Sequence, residues 1–327
     1  MTRVAAVDCG TNTIRLLVAD LTREETGRPR LEPLRRRNEI VRLGQGVDRT
    51  GLLDPAALER TLAVVEDYAA DCAELGVEPG RGARRFVATS ATRDARNRED
   101  FAAGVRSLLG VDPEVVSGQE EAHLSFAGSL LGARGTDDGG APRLVVDLGG
   151  GSTELVLGVD APAAAISLNT GSVRITERYL ADGVTPAAEA AARAEVRGLL
   201  DRAAQAVDLA ATGRLVGLAG TITTVTAHAL GLADFDAEAI DGAELAVGAA
   251  LASCDAIVHS TAAERESWAY LRPGRRDVIA AGALVWSEVI SRVVAETTAA
   301  GRPLAAAVTS LHDILDGIAL SLAVPVP

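Results

Sequence analysis

Two stretches of this chain follow the same plan, and they start 140 residues apart. VAAVDCGTNTIRLLV at residues 4–18 and LVVDLGGGSTELVL at residues 144–157 each run from an apolar strand into Asp-x-Gly, a small polar turn and a second strand. Such a pattern favours a β-hairpin. Because each copy opens its own block of sequence, we interpret the pair as a duplicated α/β domain, with coincidence as the alternative.

The sequence around the two hairpins alternates between strand and helix patterns. LERTLAVVEDYAADCAELG has apolar residues at helical spacing and ends in glycine, whereas RRFVATSATRD and RLVGLAGTITT predict strands that enter turns. The segment 132–142, GARGTDDGGAP, lacks apolar periodicity and predicts a loop between two blocks. The last apolar stretch, GIALSLAVPVP, predicts a docked C-terminal helix and a tail.

Composition limits the partners that this chain can have. Its 327 residues are 48% hydrophobic and carry a net charge of −13, which fits a globular protein and disfavours nucleic-acid binding, since that needs a basic surface. The three scattered cysteines have no disulfide or metal-ligand spacing. We find neither a signal-peptide pattern nor a charge-free apolar run of about 18 residues, so we expect a cytoplasmic protein with no membrane segment.

The glycine turns suit a phosphate group. Successive glycines present backbone N–H groups with no Cβ in the way, which makes a concave anion site. Asp147 and Glu154 flank the second turn, and Mg²⁺ prefers carboxylate oxygens beside phosphate oxygens. We therefore predict a phosphate and Mg²⁺ site. The alternative, glycine-rich hairpins with solvated acids, is disfavoured because GLAGTITT at 217–224 repeats the Gly-Thr character.

Two adjacent acids stand at the start of the helix that SGQEEAHLSF predicts. Ser117 and Glu120 have the S-x-x-E spacing of a capping box, in which the glutamate carboxylate reaches back to the N-cap amide. Glu121 lies about 100° further round the helix, so it has no capping role and can face a cleft. The alternative is that both acids are solvated in the first turn, where the helix dipole favours negative charge.

Two further features are interpreted as structural. Cys9 lies inside the first Asp-x-Gly turn and is expected to be a small packing residue, because no histidine lies nearby in sequence and hydrolysis by water needs no covalent step. The basic run Arg35, Arg36 and Arg37 precedes a predicted strand and is expected to be a solvated edge, with a track for polyphosphate as the alternative.

Six motifs in order resemble the exopolyphosphatase/guanosine pentaphosphate phosphohydrolase (Ppx/GppA) family: AVDCGTNTIRLLV, ATSATRDARN, SGQEEAHLSF, VVDLGGGSTELVLG, VGLAGTITT and RRDVIAAGAL. The resemblance implies duplicated ribonuclease-H-like domains of the actin–Hsp70–sugar-kinase superfamily, with an active site in the cleft between them. The first domain would take residues 1–130 and a C-terminal helix at about 306–327, and the second would take residues 131–305. The implied reaction is Mg²⁺-dependent hydrolysis of terminal phosphate from inorganic polyphosphate, by a homodimer.

The resemblance also assigns roles to residues. Glu121 matches the general base, and Asp147 and Glu154 match the acids that organise metal and water. The residues that match phosphate-binding positions are Asp8, Gly10, Thr11, Asn12, Thr13, Arg15, Arg93, Gly149, Gly150, Gly151, Ser152, Gly220, Thr221 and Arg275.

The chain departs from many family members near its C-terminus. Leu315 and Asp316 stand where an arginine and a glutamate are common. Longer relatives carry an additional helical region that helps to hold long polymers, so we expect this chain to prefer short polyphosphate. Three alternatives stay open: a guanosine pentaphosphate 5′-phosphohydrolase, a catalytically weak alarmone sensor, and an ATP-dependent sugar kinase or actin-like protein.

Overall fold

The computed structural model describes residues 2–23, 29–132 and 140–323, and it divides into two α/β units. The divisions fall between Gly128 and Ser129 and between Asp313 and Ile314, so the first unit combines the N-terminal part of the chain with its C-terminal helix. Most of the predicted loop at 132–142 and the end of the predicted tail lie outside the described residues. Within the described ranges, no helix is long and apolar enough to cross a bilayer.

The first unit is built on a five-stranded sheet. Its strands are β1 (Thr2–Cys9), β2 (Thr13–Arg23), β3 (Pro29–Ile40), β4 (Arg84–Ala88) and β5 (Glu114–Val115), in the order β3-β2-β1-β4-β5. The first three strands are antiparallel neighbours, whereas β4 and β5 continue the sheet in parallel with β1. Its helices are α1 (Val47–Thr50), α2 (Pro55–Glu74), α3 (Ser90–Asp94), α4 (Arg98–Leu109) and α5 (Gly118–Gly132). The predicted first hairpin is confirmed as β1–β2.

Local signals in the sequence define α2. The Asp54 side chain accepts hydrogen bonds from the Ala56 and Ala57 amides, and Pro55 takes the first helical position, where no N–H is needed. Gly76, with φ of 68°, follows the last turn in the left-handed conformation that ends many helices. The predicted helix is therefore confirmed.

Helices cover both faces of this sheet, as the alternation of β1 requires. Val4 and Ala6 belong to one apolar cluster, whereas Ala5, Val7 and Cys9 belong to another that includes residues of α2 and α4. Burial raises the pKa of the Cys9 thiol well above its ordinary value, which agrees with its interpretation as a packing residue.

The second unit has a six-stranded sheet. Its strands are β6 (Arg143–Leu148), β7 (Thr153–Gly158), β8 (Pro162–Leu168), β9 (Arg214–Leu218), β10 (Glu244–Ala246) and β11 (Ala306–Thr309), in the order β10-β11-β9-β6-β7-β8. Its helices are α6 (Ser172–Ile175), α7 (Pro186–Ala206), α8 (Ala219–Ala229), α9 (Ala237–Ile240), α10 (Val247–Val258), α11 (Ala262–Ser267) and α12 (Ile279–Ala299). The predicted second hairpin is confirmed as β6–β7.

The two sheets share one topology. Read from its β8 edge, the second sheet runs β8-β7-β6-β9-β11, which repeats β3-β2-β1-β4-β5 in both strand order and strand direction. Strand β10 is an addition at the far edge, antiparallel to β11. The predicted fold class, duplicated α/β domains of the ribonuclease-H-like type, is confirmed.

One predicted element is wrong. The segment from about residue 306 onwards is predicted to be a C-terminal helix of the first domain, but Ala306–Thr309 forms β11 in the second sheet. Ala307 and Val308 pair with Leu215 and Val216 of β9, so a partner distant in sequence decides the conformation of this alanine-rich segment. Only α13 (Ile314–Ser321) is helical.

Helix α13 packs closely within the first unit. Leu315 and Ile318 are buried in the apolar cluster that contains Val4 and Ala6. A Cβ at Gly317 would lie 1.9 Å from the carbonyl oxygen of Leu124 in α5, so only glycine allows the two backbones to approach this closely. Leu315, one of the two departing residues, is therefore part of the core of the first unit.

The basic run lies on β3, an edge strand as predicted, and its partly exposed arginines also form ion pairs. Because side chains alternate along a strand, Arg35 and Arg37 share one face, where both donate to Asp71 of α2 at 2.5 and 3.0 Å. Arg36 on the other face pairs at 2.5 Å with Asp316, which is buried in α13. These arginines anchor helices to both faces of the sheet.

Candidate active site

The two predicted glycine turns close in the same way. The Gly10 amide donates to the Thr13 carbonyl at 2.9 Å, and the Gly149 amide donates to the Ser152 carbonyl at 3.0 Å. In each case the donor follows the strand-end aspartate by two residues. These two glycine amides therefore stabilise their own turns, and any ligand must use the amides that come after them.

The first turn is held in place by a second segment, residues 42–44. The carbonyls of Thr11 and Asn12 accept hydrogen bonds from the amides of Gly44 and Arg42, at 2.8 and 2.9 Å. The Thr11 hydroxyl is 2.8 Å from that of Ser90. Within the described ranges, the amides of Thr11 and Asn12 have no protein acceptor, so they are the donors that this turn can offer to an anion.

The carbonyls of the second turn also accept hydrogen bonds from a second segment. The carbonyls of Gly149 and Gly150 accept from the amides of Ser172 and Val173, at 3.0 and 2.9 Å. The amides of Gly150 and Gly151 have no acceptor among the residues that the structure describes. In both turns the carbonyls therefore accept hydrogen bonds from the same unit, and backbone N–H groups are left to donate to a ligand.

Gly171 shows how tightly the second turn is held. Its backbone is extended, with φ of −179°, so any residue could adopt this conformation. A Cβ there, however, would lie 2.5 Å from the Gly150 carbonyl oxygen and 2.7 Å from that of Gly149. Arg174 adds a hydrogen bond of 2.9 Å from Nε to the Gly151 carbonyl. The shape of the turn is thus fixed by close packing against α6.

Asp8 and Arg15, both predicted to bind phosphate, form an ion pair across the first hairpin. They are directly opposite in the β1–β2 register, and Arg15 Nε and Nη2 both donate to Asp8 Oδ2, at 2.9 and 2.6 Å. Asp8 is buried. The guanidinium compensates the carboxylate charge at this turn, since a buried carboxylate is costly without such a partner.

The corresponding position of the second hairpin has the opposite charge. Glu154 is directly opposite Asp147 in the β6–β7 register, and their exposed fractions are only 1% and 7%. Carboxylate oxygens are the ligands that a divalent cation such as Mg²⁺ prefers. The described residues contain no group of three or more side chains that could hold a metal. Two carboxylates fit Mg²⁺, which usually keeps waters and takes phosphate oxygens as its other ligands.

The third glycine motif begins α8, where Arg275 lies against it. A Cβ at Gly220 would be 1.0 Å from Nη1 of Arg275, so glycine is what leaves room for the guanidinium. Ala219, with φ of 71°, is one of only two described non-glycine residues with positive φ, and no side chain caps α8. Strain of this kind and uncapped helical amides are both typical of anion sites.

Thr221 has a packing role in addition to its predicted one. A Cβ at Gly282 of α12 would come within 2.5 Å of the Thr221 hydroxyl oxygen, so helix α12 passes close to this side chain. The next hydroxyls fold back, because Thr223 and Thr224 donate to the Gly220 carbonyl at 3.1 and 2.7 Å.

Glu121 and Arg93 are brought together in the first unit. Glu121, 7% exposed, accepts a hydrogen bond of 3.2 Å from Nη1 of Arg93, which also donates to the Val116 carbonyl at 2.9 Å. The sequence suggested a phosphate contact for Arg93 and gave no sign of this pairing. A base must be held within reach of its proton, and this ion pair fixes the carboxylate.

The capping box is only half formed. The Glu120 amide donates to the Ser117 hydroxyl at 3.2 Å, as predicted. The Glu120 carboxylate, however, is exposed and accepts from Nη2 of Arg85 at 2.8 Å, and within the described ranges it makes no bond to the Ser117 amide. The guanidinium is the stronger donor, because both partners carry charge. Glu120 therefore has a surface ion pair as its structural role.

Sequence reasoning missed Ser167. Its hydroxyl donates to Oε1 of Glu154 at 2.7 Å from the neighbouring strand β8. The one signal available is that Ser167 is the single hydroxyl-bearing residue in the strand PAAAISL.

Two α/β units of one topology, each beginning with an Asp-x-Gly hairpin, place the chain in the class of duplicated ribonuclease-H-like α/β proteins. The chain belongs to the Ppx/GppA phosphatase family, whose model matches residues 21–299. The predicted family is therefore confirmed.

Individual relatives support this assignment over nearly the whole chain. The chain is 44% identical to Exopolyphosphatase 2 of Mycobacterium tuberculosis, with 99% of each protein covered. It is 43% identical to an exopolyphosphatase-like protein of known crystal structure, with a TM-score of 0.90 and coverage of 98% of this chain and 97% of that one. The Aquifex aeolicus Ppx/GppA protein is 25% identical over 98% and 97% of the two chains, with a TM-score of 0.75.

Proposed function

We propose that this protein is a Mg²⁺-dependent exopolyphosphatase, a phosphoanhydride hydrolase that releases terminal phosphate from inorganic polyphosphate, with a preference for short chains. The observation that carries this proposal is the repeated hairpin, because each copy keeps turn amides that can bind a phosphate group. The name of the mycobacterial relative, together with its identity to this chain, supports polyphosphate as the substrate class.

In the proposed reaction, Glu121 accepts a proton from the water whose oxygen bonds to the terminal phosphorus. The bond from that phosphorus to the bridging oxygen breaks, and the polyphosphate shortened by one unit leaves with the bridging oxygen. Arg93 keeps the Glu121 carboxylate in one orientation. In each unit the turn amides would bind phosphate oxygens, and in the second unit the guanidinium of Arg275 would do so as well. Asp147 and Glu154 would hold Mg²⁺, which supplies charge neutralisation of the phosphate oxygens when bound.

A comparison of substrates tests the function. Phosphate release from short polyphosphate, long polyphosphate and guanosine pentaphosphate should be measured with Mg²⁺ and with EDTA. The proposal expects the highest kcat/KM on short polyphosphate and no release with EDTA. A higher kcat/KM on guanosine pentaphosphate would make the protein a pentaphosphate phosphohydrolase. Tight alarmone binding with no release from any substrate would make it a sensor.

Arg275 gives a test of the phosphate site at α8. Replacing it with alanine should raise KM by roughly 10-fold with a smaller change in kcat, the expected loss for one charge-assisted hydrogen bond that binds substrate and transition state alike. Gly220→Ala should give the same defect, because the new Cβ displaces the guanidinium.

Arg276 is the matched control for this test. Its Nη2 donates to the Glu266 carbonyl at 3.2 Å, away from the α8 site. Steady-state kinetics of Arg276→Ala should resemble those of the unmodified protein. Equal KM defects in the two arginine variants would remove Arg275 from the phosphate site.

The proposal also includes a cytoplasmic homodimer. The cytoplasmic location is based on the scattered cysteines and the missing signal-peptide pattern, and the homodimer on the family resemblance. Sedimentation of the purified protein measures its mass and so tests the dimer.

A further inference from the structure

Ser167 occupies an edge strand and faces the proposed metal acids. It lies on β8, the outermost strand of the second sheet beside β7. Its neighbours Ile166 and Leu168 pack against the large apolar cluster of this unit. Since side chains alternate along a strand, Ser167 points to the opposite face of the sheet. That face also carries Asp147 and Glu154, because Val146 and Leu155 beside them belong to the apolar cluster.

Three polar residues form one row across three strands. Asp147 is opposite Glu154 in the β6–β7 pair, and Glu154 is opposite Ser167 in the β7–β8 pair. The first sheet has a corresponding row of Asp8, Arg15 and Asn38. The outer strands are β3 and β8. Each places a polar side chain, Asn38 or Ser167, beside the residue that is opposite the strand-end aspartate.

The Ser167 hydroxyl constrains one carboxylate oxygen of Glu154. The distance of 2.7 Å from Oγ to Oε1 is that of a hydrogen bond to a charged acceptor. Glu154 is almost fully buried, so a lost donor is not replaced by bulk water. Holding Oε1 fixes the plane of the carboxylate.

We infer that Ser167 is a positioning residue for Glu154, which orients this carboxylate as a Mg²⁺ ligand. The inference rests on the proposed function for its choice of metal. Partners that hold a metal ligand in place typically change metal affinity or activity by about 10–100-fold when they are removed. The expected effect of Ser167 is therefore on metal binding first, and on turnover through it.

Metal binding can be measured without substrate by using Mn²⁺, which shares the preference of Mg²⁺ for carboxylate oxygens and is visible by electron paramagnetic resonance. Ser167→Ala should raise the dissociation constant for Mn²⁺ by about 10-fold. Ser167→Thr keeps the hydroxyl and suits a strand, so it should restore binding. Ser291→Ala is the control, since its hydroxyl donates to the Ser287 carbonyl in α12 and to no carboxylate.

A double-mutant cycle separates positioning from a general structural role. Adding Ser167→Ala to Glu154→Gln should cause no further loss of Mn²⁺ binding, because the two residues act through one interaction. Thermal unfolding verifies that each variant is folded, and Ser167→Cys replaces Ser167→Ala if the alanine variant does not fold.

Two results would overturn the inference. Unchanged Mn²⁺ affinity in Ser167→Ala, with a loss in Glu154→Gln, would exclude Ser167 as a positioning residue. Unchanged affinity in Glu154→Gln would remove Glu154 from the metal site, and the inference with it. A protein that shows the expected Mn²⁺ pattern but releases no phosphate would leave this inference in place and overturn the proposed function.

Discussion

Glu121→Gln should lower kcat by about 10²–10⁴-fold, the contribution typical of a general base. Glutamine keeps the size of the side chain and can still accept from Arg93, but it cannot take a proton from water. Substrate binding should persist, because the turn amides and Arg275 do not depend on the base. Single-turnover phosphate release, together with binding of a non-hydrolysable polyphosphate analogue, separates the two effects.

Glu120→Gln is the neighbouring control. Glu120 is exposed and paired with Arg85, so the change should alter the free energy of unfolding by less than about 1 kcal/mol and leave kcat intact. If Glu120→Gln abolished turnover and Glu121→Gln did not, the assignment of the base would be reversed.

Asp147→Asn and Glu154→Gln should each raise the Mg²⁺ concentration needed for half-maximal activity by more than about 10-fold, since even outer partners of metal ligands have effects of this size. Each amide preserves the shape of the side chain and removes one charge from the opposed pair. A Mg²⁺ titration of phosphate release measures the shift directly.

Asp160→Asn provides the matched control for these variants, because Asp160 is an exposed acid just beyond the end of β7. Its Mg²⁺ curve should coincide with that of the unmodified protein. If Asp147→Asn or Glu154→Gln also gave that curve, the residue concerned would not belong to the metal site.

Local patterns predicted much of the fold. The two Asp-x-Gly hairpins have short turns between apolar strands, so the signal for pairing lies within about 15 residues of sequence. Helix α2 carries its own cap, its first-turn proline and a glycine after its end. The similarity of the two hairpins predicted a duplicated domain, and the two sheets to which the hairpins belong do share one topology.

The errors have a common cause in partners that are far away in sequence. Ala306–Thr309 is a strand because β9 lies beside it. The Glu120 carboxylate pairs with Arg85 instead of accepting from the Ser117 amide. Ser167 contacts Glu154 only through sheet register, which no motif encodes. Sequence reasoning therefore finds the residues that belong to motifs and misses those that orient them.

The opposed residues of the two hairpins give the copies different electrostatic behaviour. In the first, Asp8 faces Arg15, so an acid is opposite a base; in the second, Asp147 faces Glu154, so both opposed side chains are acids. An anion can therefore approach the first turn in a metal-free solution, whereas two neighbouring acids favour its approach together with a divalent cation. Capture and cleavage would then be separable in time: a protein stripped with EDTA would retain polyphosphate without consuming it, and added Mg²⁺ would start hydrolysis of the chain already held.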